Sequence, residues 1–189
     1  MFHLPQNRRS FLKFSLAGAL MLFGARPALA KSPPDEALPE GRLSLYNVHT
    51  AERVSVTYRN QSGEYDPEAL KALNWNLRCH YTNKTIDMDT NVIEYLNIVD
   101  KQFGGDNEIH VISGYRTPEY NSLLREEGRQ VSHHSLHMLG KAIDFFIPRV
   151  ALKNLRNAAI SLNYGGVGYY PQTGFVHIDS GRFRTWCRS

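Results

Sequence analysis

The chain has 189 residues, of which 42% are apolar, 21% charged and 11% aromatic, a mixture that folds as a globular protein and excludes a disordered or collagen-like one. The formal charge is +4, but residues 1–30 carry Arg8, Arg9, Lys13 and Arg26 and no acid, so the rest of the chain is neutral. A neutral body without a basic cluster collects few phosphates by counterion release, which excludes nucleic acid as the partner class.

Residues 1–30 read as a signal peptide: a basic start, an uncharged stretch from Phe14 to Ala25, and the small-x-small pattern Ala28-Leu29-Ala30 that a signal peptidase needs, with cleavage expected after Ala30. The apolar run is shorter than the about 20 residues a membrane span requires, so no stable span is expected in the mature form. Asn7-Arg8-Arg9-Ser10-Phe11-Leu12-Lys13 resembles the twin-arginine export motif, with Asn where Ser or Thr is usual. That resemblance implies the twin-arginine machinery as a partner and the periplasm as the destination. Cys79 and Cys187 are the only cysteines. An oxidising compartment permits them to pair, two isolated thiols are the alternative, and the sequence leaves both open. The absence of Cys-x-x-Cys excludes thiolate zinc sites and thioredoxin-like chemistry.

Residues 31–41, with Pro33, Pro34 and Pro39, have the composition of an extended linker, and a single domain is expected over 42–189. Alternation in 42–48 and 53–58 predicts two strands joined by a short turn. Asp66-Pro67-Glu68 is a helix start with Asp as cap and Pro in the first turn, and the spacing of Leu70, Leu73, Asn74 and Leu77 carries the helix to about His80. A second helix is expected from Asp89, with Val92, Ile93, Leu96 and Val99 as its apolar stripe, ending near Gly104-Gly105. Residues 108–113 read as a strand, 118–127 as a helix, 128–135 as a polar loop, 141–147 as a strand, 151–163 as a helix, 165–170 as a glycine-bearing strand or turn, and 175–179 as a final strand. The pattern is α+β: a small, mostly antiparallel sheet with flanking helices.

His137 and Asp144 lie on either side of Gly140, and His177 follows with Asp179 two residues on. In an extended segment Asp144 shares a face with Gly140 and Ala142, opposite Ile143 and Phe145. The same rule places Phe175, His177 and Asp179 together, opposite Val176 and Ile178. Pairing the two strands aims Asp144 and His177 the same way while the four apolar residues line the core, and His137 arrives from the loop as a third ligand. Three N/O ligands without a thiolate leave the fourth tetrahedral position to water, the arrangement of a catalytic rather than a structural zinc.

Ser135-x-His137-x-x-Gly140-x-Ala142-x-Asp144 with the distant His177-x-Asp179 resembles the M15-type zinc peptidases, of the MepK-like branch of murein endopeptidases. Also similar are Leu45-x-Asn47-x-His49-Thr50, Ser113-Gly114-Tyr115-Arg116 and Gly165-Gly166-Val167-Gly168-Tyr169-Tyr170-Pro171. The resemblance implies a hedgehog or D-Ala-D-Ala peptidase-like zinc fold. It implies that His137, Asp144 and His177 bind Zn2+ and that Arg116 points into the site to hold a carboxylate or an oxyanion. Several relatives carry a Glu three residues, or a His two residues, before the last ligand, where this chain has Gly174 and Phe175. Asp179 is then the candidate general base, or else a carboxylate that orients a ligand imidazole; both roles stay open. His133, His134, His49, His80 and His110 read as solvated residues outside the metal set. The expected activity is exported, zinc-dependent hydrolysis of amides in peptidoglycan cross-links. A D-Ala-D-Ala carboxypeptidase and a non-catalytic wall-binding domain are the alternatives.

Overall fold

The computed structural model of the chain describes residues 40–188, so the expected leader at 1–30 and most of the linker lie outside the described residues. Strand β1 (Gly41–Asn47) pairs antiparallel with β2 (Arg53–Arg59) as the alternation predicts. Strand β1 thus starts at Gly41, the last residue of the expected linker, which pairs with Arg59. Helix α1 (Pro67–Asn76) starts where Asp66 accepts hydrogen bonds from the Glu68 and Ala69 N–H groups, and it stops short of the expected His80. Helix α2 (Thr90–Lys101) is capped by Asp89. Strand β3 (Glu108–Ser113) leads into α3 (Pro118–Glu126), β4 (Ala142–Phe146), α4 (Leu152–Leu162), β5 (Gly166–Tyr170) and β6 (Phe175–Asp179).

Two elements depart from the sequence reading. Residues Leu136–Leu139, expected in irregular chain, form a 3-10 turn. Residues Arg184–Cys187, beyond the strand expected to be the last, form strand β7. The sheet therefore has seven strands in the order β2-β1-β3-β4-β6-β5-β7, mixed but mostly antiparallel, with β1/β3 and β5/β7 as its parallel pairs. Cys187 sits exposed on β7 and Cys79 is buried, and both are free thiols. No helix among the described residues is long and apolar enough to cross a membrane.

Ile143, Phe145, Val176 and Ile178 are fully buried and join one cluster with residues of α1, α2 and α4 such as Leu73, Leu96 and Leu155. Their burial fixes the register of β4 on β6, in which Ile143 faces Ile178 and Asp144 faces His177. A slip of one residue in either strand would turn its two apolar side chains, worth about 1.5–3 kcal/mol each, out of the core and drive Asp144 or His177 into it. The core thus sets the alignment of the polar residues on the opposite face of the same two strands.

Candidate metal centre

His137, Asp144 and His177 come together from the 3-10 turn, β4 and β6, all three buried, with potential ligand atoms within 4.8 Å of one another. Gly140 ends the 3-10 turn in the left-handed conformation, φ 65°, and redirects the chain into β4. The turn is tied to the Ser113–Arg116 segment in both directions: Arg116 N–H donates to the His137 carbonyl at 3.1 Å, and the His137 ring bonds the Gly114 carbonyl at 2.8 Å.

Hydrogen-bond partners fix the tautomers. The Gly114 carbonyl only accepts, so His137 Nδ1 carries the proton and Nε2 a lone pair. Asp179 Oδ2 accepts from His177 Nε2 at 3.0 Å, so His177 Nδ1 likewise carries a lone pair. These lone pairs face each other at 3.2 Å, with Asp144 oxygens 3.2 Å from His137 Nε2 and 2.7 Å from His177 Nδ1. Three acceptors meeting in a buried space form a donor set that a cation can satisfy. Bonds of about 2.0–2.1 Å in a tetrahedron place ligand atoms roughly 3.3 Å apart, so the observed spacing and the His/His/Asp donor set fit a zinc-sized ion.

The charge balance without an ion agrees. Burial raises the Asp144 carboxyl, but His137 and His177 outweigh it and hold it well below the ordinary carboxylate range. Burial lowers both imidazoles. For His137 that effect wins; for His177 the hydrogen bonds to Asp144 and Asp179 win and the imidazole is raised.

Asp179 lies on the far side of the His177 ring from Asp144. Its Oδ1 accepts from the N–H groups of Gly166 at 3.2 Å and Gly181 at 2.8 Å and from Arg184 at 3.0 Å. Its Oδ2 accepts from Arg184 at 2.7 Å and from His177. Five donors occupy this fully buried carboxylate. Although burial raises it, the bonds from His177 and Arg184 leave it strongly acidic.

Arg116 is 7% exposed and places Nη2 3.2 Å from Ser113 Oγ and 3.6 Å from Asp144 Oδ2, while its buried Nε has no hydrogen-bond partner. It lines an open cleft of about 760 Å³ that also holds His137, Asp144 and His177, a size suited to a peptide segment. His49, His80 and His134 line the same cleft; His133 and His110 do not. The His49 and His80 rings stack at 3.8 Å, and the edge of His80 meets Tyr120. Tyr170 stacks on Phe175 along the cleft wall, whereas Tyr169 packs against the core.

A family model described as peptidoglycan L,D-endopeptidase MepK matches residues 36–186, a range that includes every side chain of this centre. The chain belongs to this M15 peptidase family. It is 38% identical over 183 residues to the peptidoglycan L,D-endopeptidase MepK of Escherichia coli K12, covering 95% of this chain and 97% of that one. A Haemophilus influenzae protein named "Probable peptidoglycan L,D-endopeptidase MepK" is 36% identical over 191 residues, covering 98% of each.

In this family member the sequence pattern alone does not reveal Arg184, Trp186 and the Gly114 carbonyl as parts of the centre. Trp186 tilts over the His177 ring at 5.1 Å and donates from Nε1 to the Tyr170 hydroxyl at 2.9 Å. The four residues of β7 carry no alternation, three being exposed and one half-buried, so period-two reading finds nothing there. The only available signal was a basic residue five positions after a candidate buried acid.

Proposed function

We propose that this protein is an exported zinc metallopeptidase that hydrolyses an amide in the peptide cross-links of peptidoglycan. Family membership and the names of its relatives support the endopeptidase activity and the peptidoglycan substrate. The observation that carries the metal is the convergence of two imidazole lone pairs and a carboxylate at one buried point. His137, Asp144 and His177 are its ligands. A zinc ion there supplies a Lewis acid for the amide carbonyl and an acidified water at neutral pH. We extend the proposal to a hedgehog or D-Ala-D-Ala peptidase-like fold, to a domain spanning 42–189 behind a linker, and to a twin-arginine leader at 1–30 that directs the chain to the periplasm.

Arg116 is preorganised for negative charge. Its guanidinium lies at the cleft wall, held by Ser113, so it stabilises a substrate carboxylate or the oxyanion that forms on the attacked carbonyl. For Asp179 the five occupied acceptor positions favour the orienting role over proton acceptance. It holds the His177 ring with Nδ1 forward and leaves no oxygen directed into the cleft.

The test is mass spectrometry of purified cross-linked muropeptides incubated with the protein, with and without chelator. New amino and carboxyl ends at a cross-link, abolished by chelator and restored by zinc, are expected. Release of terminal D-Ala instead would identify a carboxypeptidase, and intact muropeptides a wall-binding domain.

A further inference from the structure

We infer that Arg184 is a positioning residue for the metal centre, acting through Asp179 to hold His177 with Nδ1 towards the ion. The inference rests on the reading of His137, Asp144 and His177 as ligands. Arg184 grips Asp179 with both terminal nitrogens, at 3.0 and 2.7 Å, and Asp179 in turn bonds His177 Nε2. The bidentate fork fixes the carboxylate plane as a single contact does not, and the carboxylate fixes the imidazole.

The sheet shows how this reach is built. Strand β5 lies between β6 and β7, and Gly166 is the register partner both of Asp179 on one side and of Arg184 on the other. The guanidinium therefore has to cross directly over Gly166. A Cβ there would lie 2.3 Å from Asp179 Oδ2 and 2.5 Å from Arg184 Nη1, so any side chain would break the contact. Two residues on, Gly168 is the partner of both His177 and Trp186, and a Cβ there would lie 2.6 Å from the indole that tilts over the His177 ring. The glycines of Gly166-Val167-Gly168, on one face of β5, leave open two lanes through which the edge strand braces the acid and the imidazole of β6. Val167, between them, points into the core.

The test measures zinc affinity of the purified protein by chelator competition for Arg184→Gln, Asp179→Asn and the double variant, together with the imidazole nitrogen NMR signals of His177. Arg184→Gln should weaken zinc binding by about 10 to 100-fold and alter the His177 Nε2–H resonance. Arg184→Lys, which keeps the charge and loses the fork, should recover part of the loss. In the Asp179→Asn background Arg184→Gln should add little, because both act along one chain of contacts. Gly166→Ala, with Arg184 intact, should lower affinity in the same way. Unchanged affinity in Arg184→Gln, or losses that multiply in the double variant, would overturn the inference. Absence of zinc from the unmutated protein would overturn the parent reading with it, so the two failures are distinguishable.

Discussion

Replacing Gly114 by Ala tests how tightly the ligand geometry depends on one backbone turn. A Cβ at Gly114 would lie 2.4 Å from the Leu77 carbonyl oxygen and 2.9 Å from Leu77 Cβ. Carbon contacts need about 3.5 Å, so one partner has to move by roughly 0.5–1 Å. Leu77 is anchored: it is 1% exposed, and its N–H donates to the Leu73 carbonyl at 2.9 Å. The Ser113–Arg116 turn moves instead, and it carries the Gly114 carbonyl that fixes His137 Nδ1 at 2.8 Å. A displacement of that size takes the contact past hydrogen-bond range. Overpacking of this kind costs about 1–3 kcal/mol, and loss of the partner of a ligand imidazole lowers metal affinity by about 10 to 100-fold. Thermal unfolding of the zinc-free protein reads the first quantity, and chelator competition reads the second. A Gly114→Ala protein with unchanged melting temperature and unchanged zinc affinity would show that the turn does not hold His137 in place.

Asp179→Asn should lower zinc affinity by about 10 to 100-fold, with excess zinc restoring much of the rate; a turnover loss of about 100-fold or more at saturating zinc would instead make Asp179 the proton acceptor. His80, pushed down to about 4 by burial, by the stacked His49 and by Arg116, should stay neutral in the folded protein where the unfolded chain is already protonated. Stability carried by His80 should therefore fall as pH drops from about 6.5 to 4. An NMR titration midpoint near 6.5 for His80 would contradict this. Arg8→Lys with Arg9→Lys should leave unprocessed precursor in the cytoplasm, and normal processing of the double variant would assign export to the general secretory route.

The alternation of buried and polar residues made the central strands legible. Ile143 and Phe145 in β4 and Val176 and Ile178 in β6 announce which face is core, and that face dictates that Asp144 and His177 point together, as their register pairing places them. The helix starts at Asp66 and Asp89 were readable because a capping carboxylate is a local device, written within three residues. What escaped was non-local. Strand β7 exists because it pairs with β5, and its residues show no pattern of their own. The glycines of β5 read as a turn or a weak strand until Arg184 and Trp186 are seen crossing above them. Composition likewise gives no hint that Asp179 is saturated by five donors, since two are backbone N–H groups placed by the fold.

The ion proposed among His137, Asp144 and His177 is open to metal analysis of the purified protein beside its three alanine variants. One zinc per chain is expected in the unmutated protein and severe loss in His137→Ala, Asp144→Ala and His177→Ala, with circular dichroism unchanged. Stoichiometric zinc retained by these folded variants, or an unmutated protein that takes up none, would contradict it.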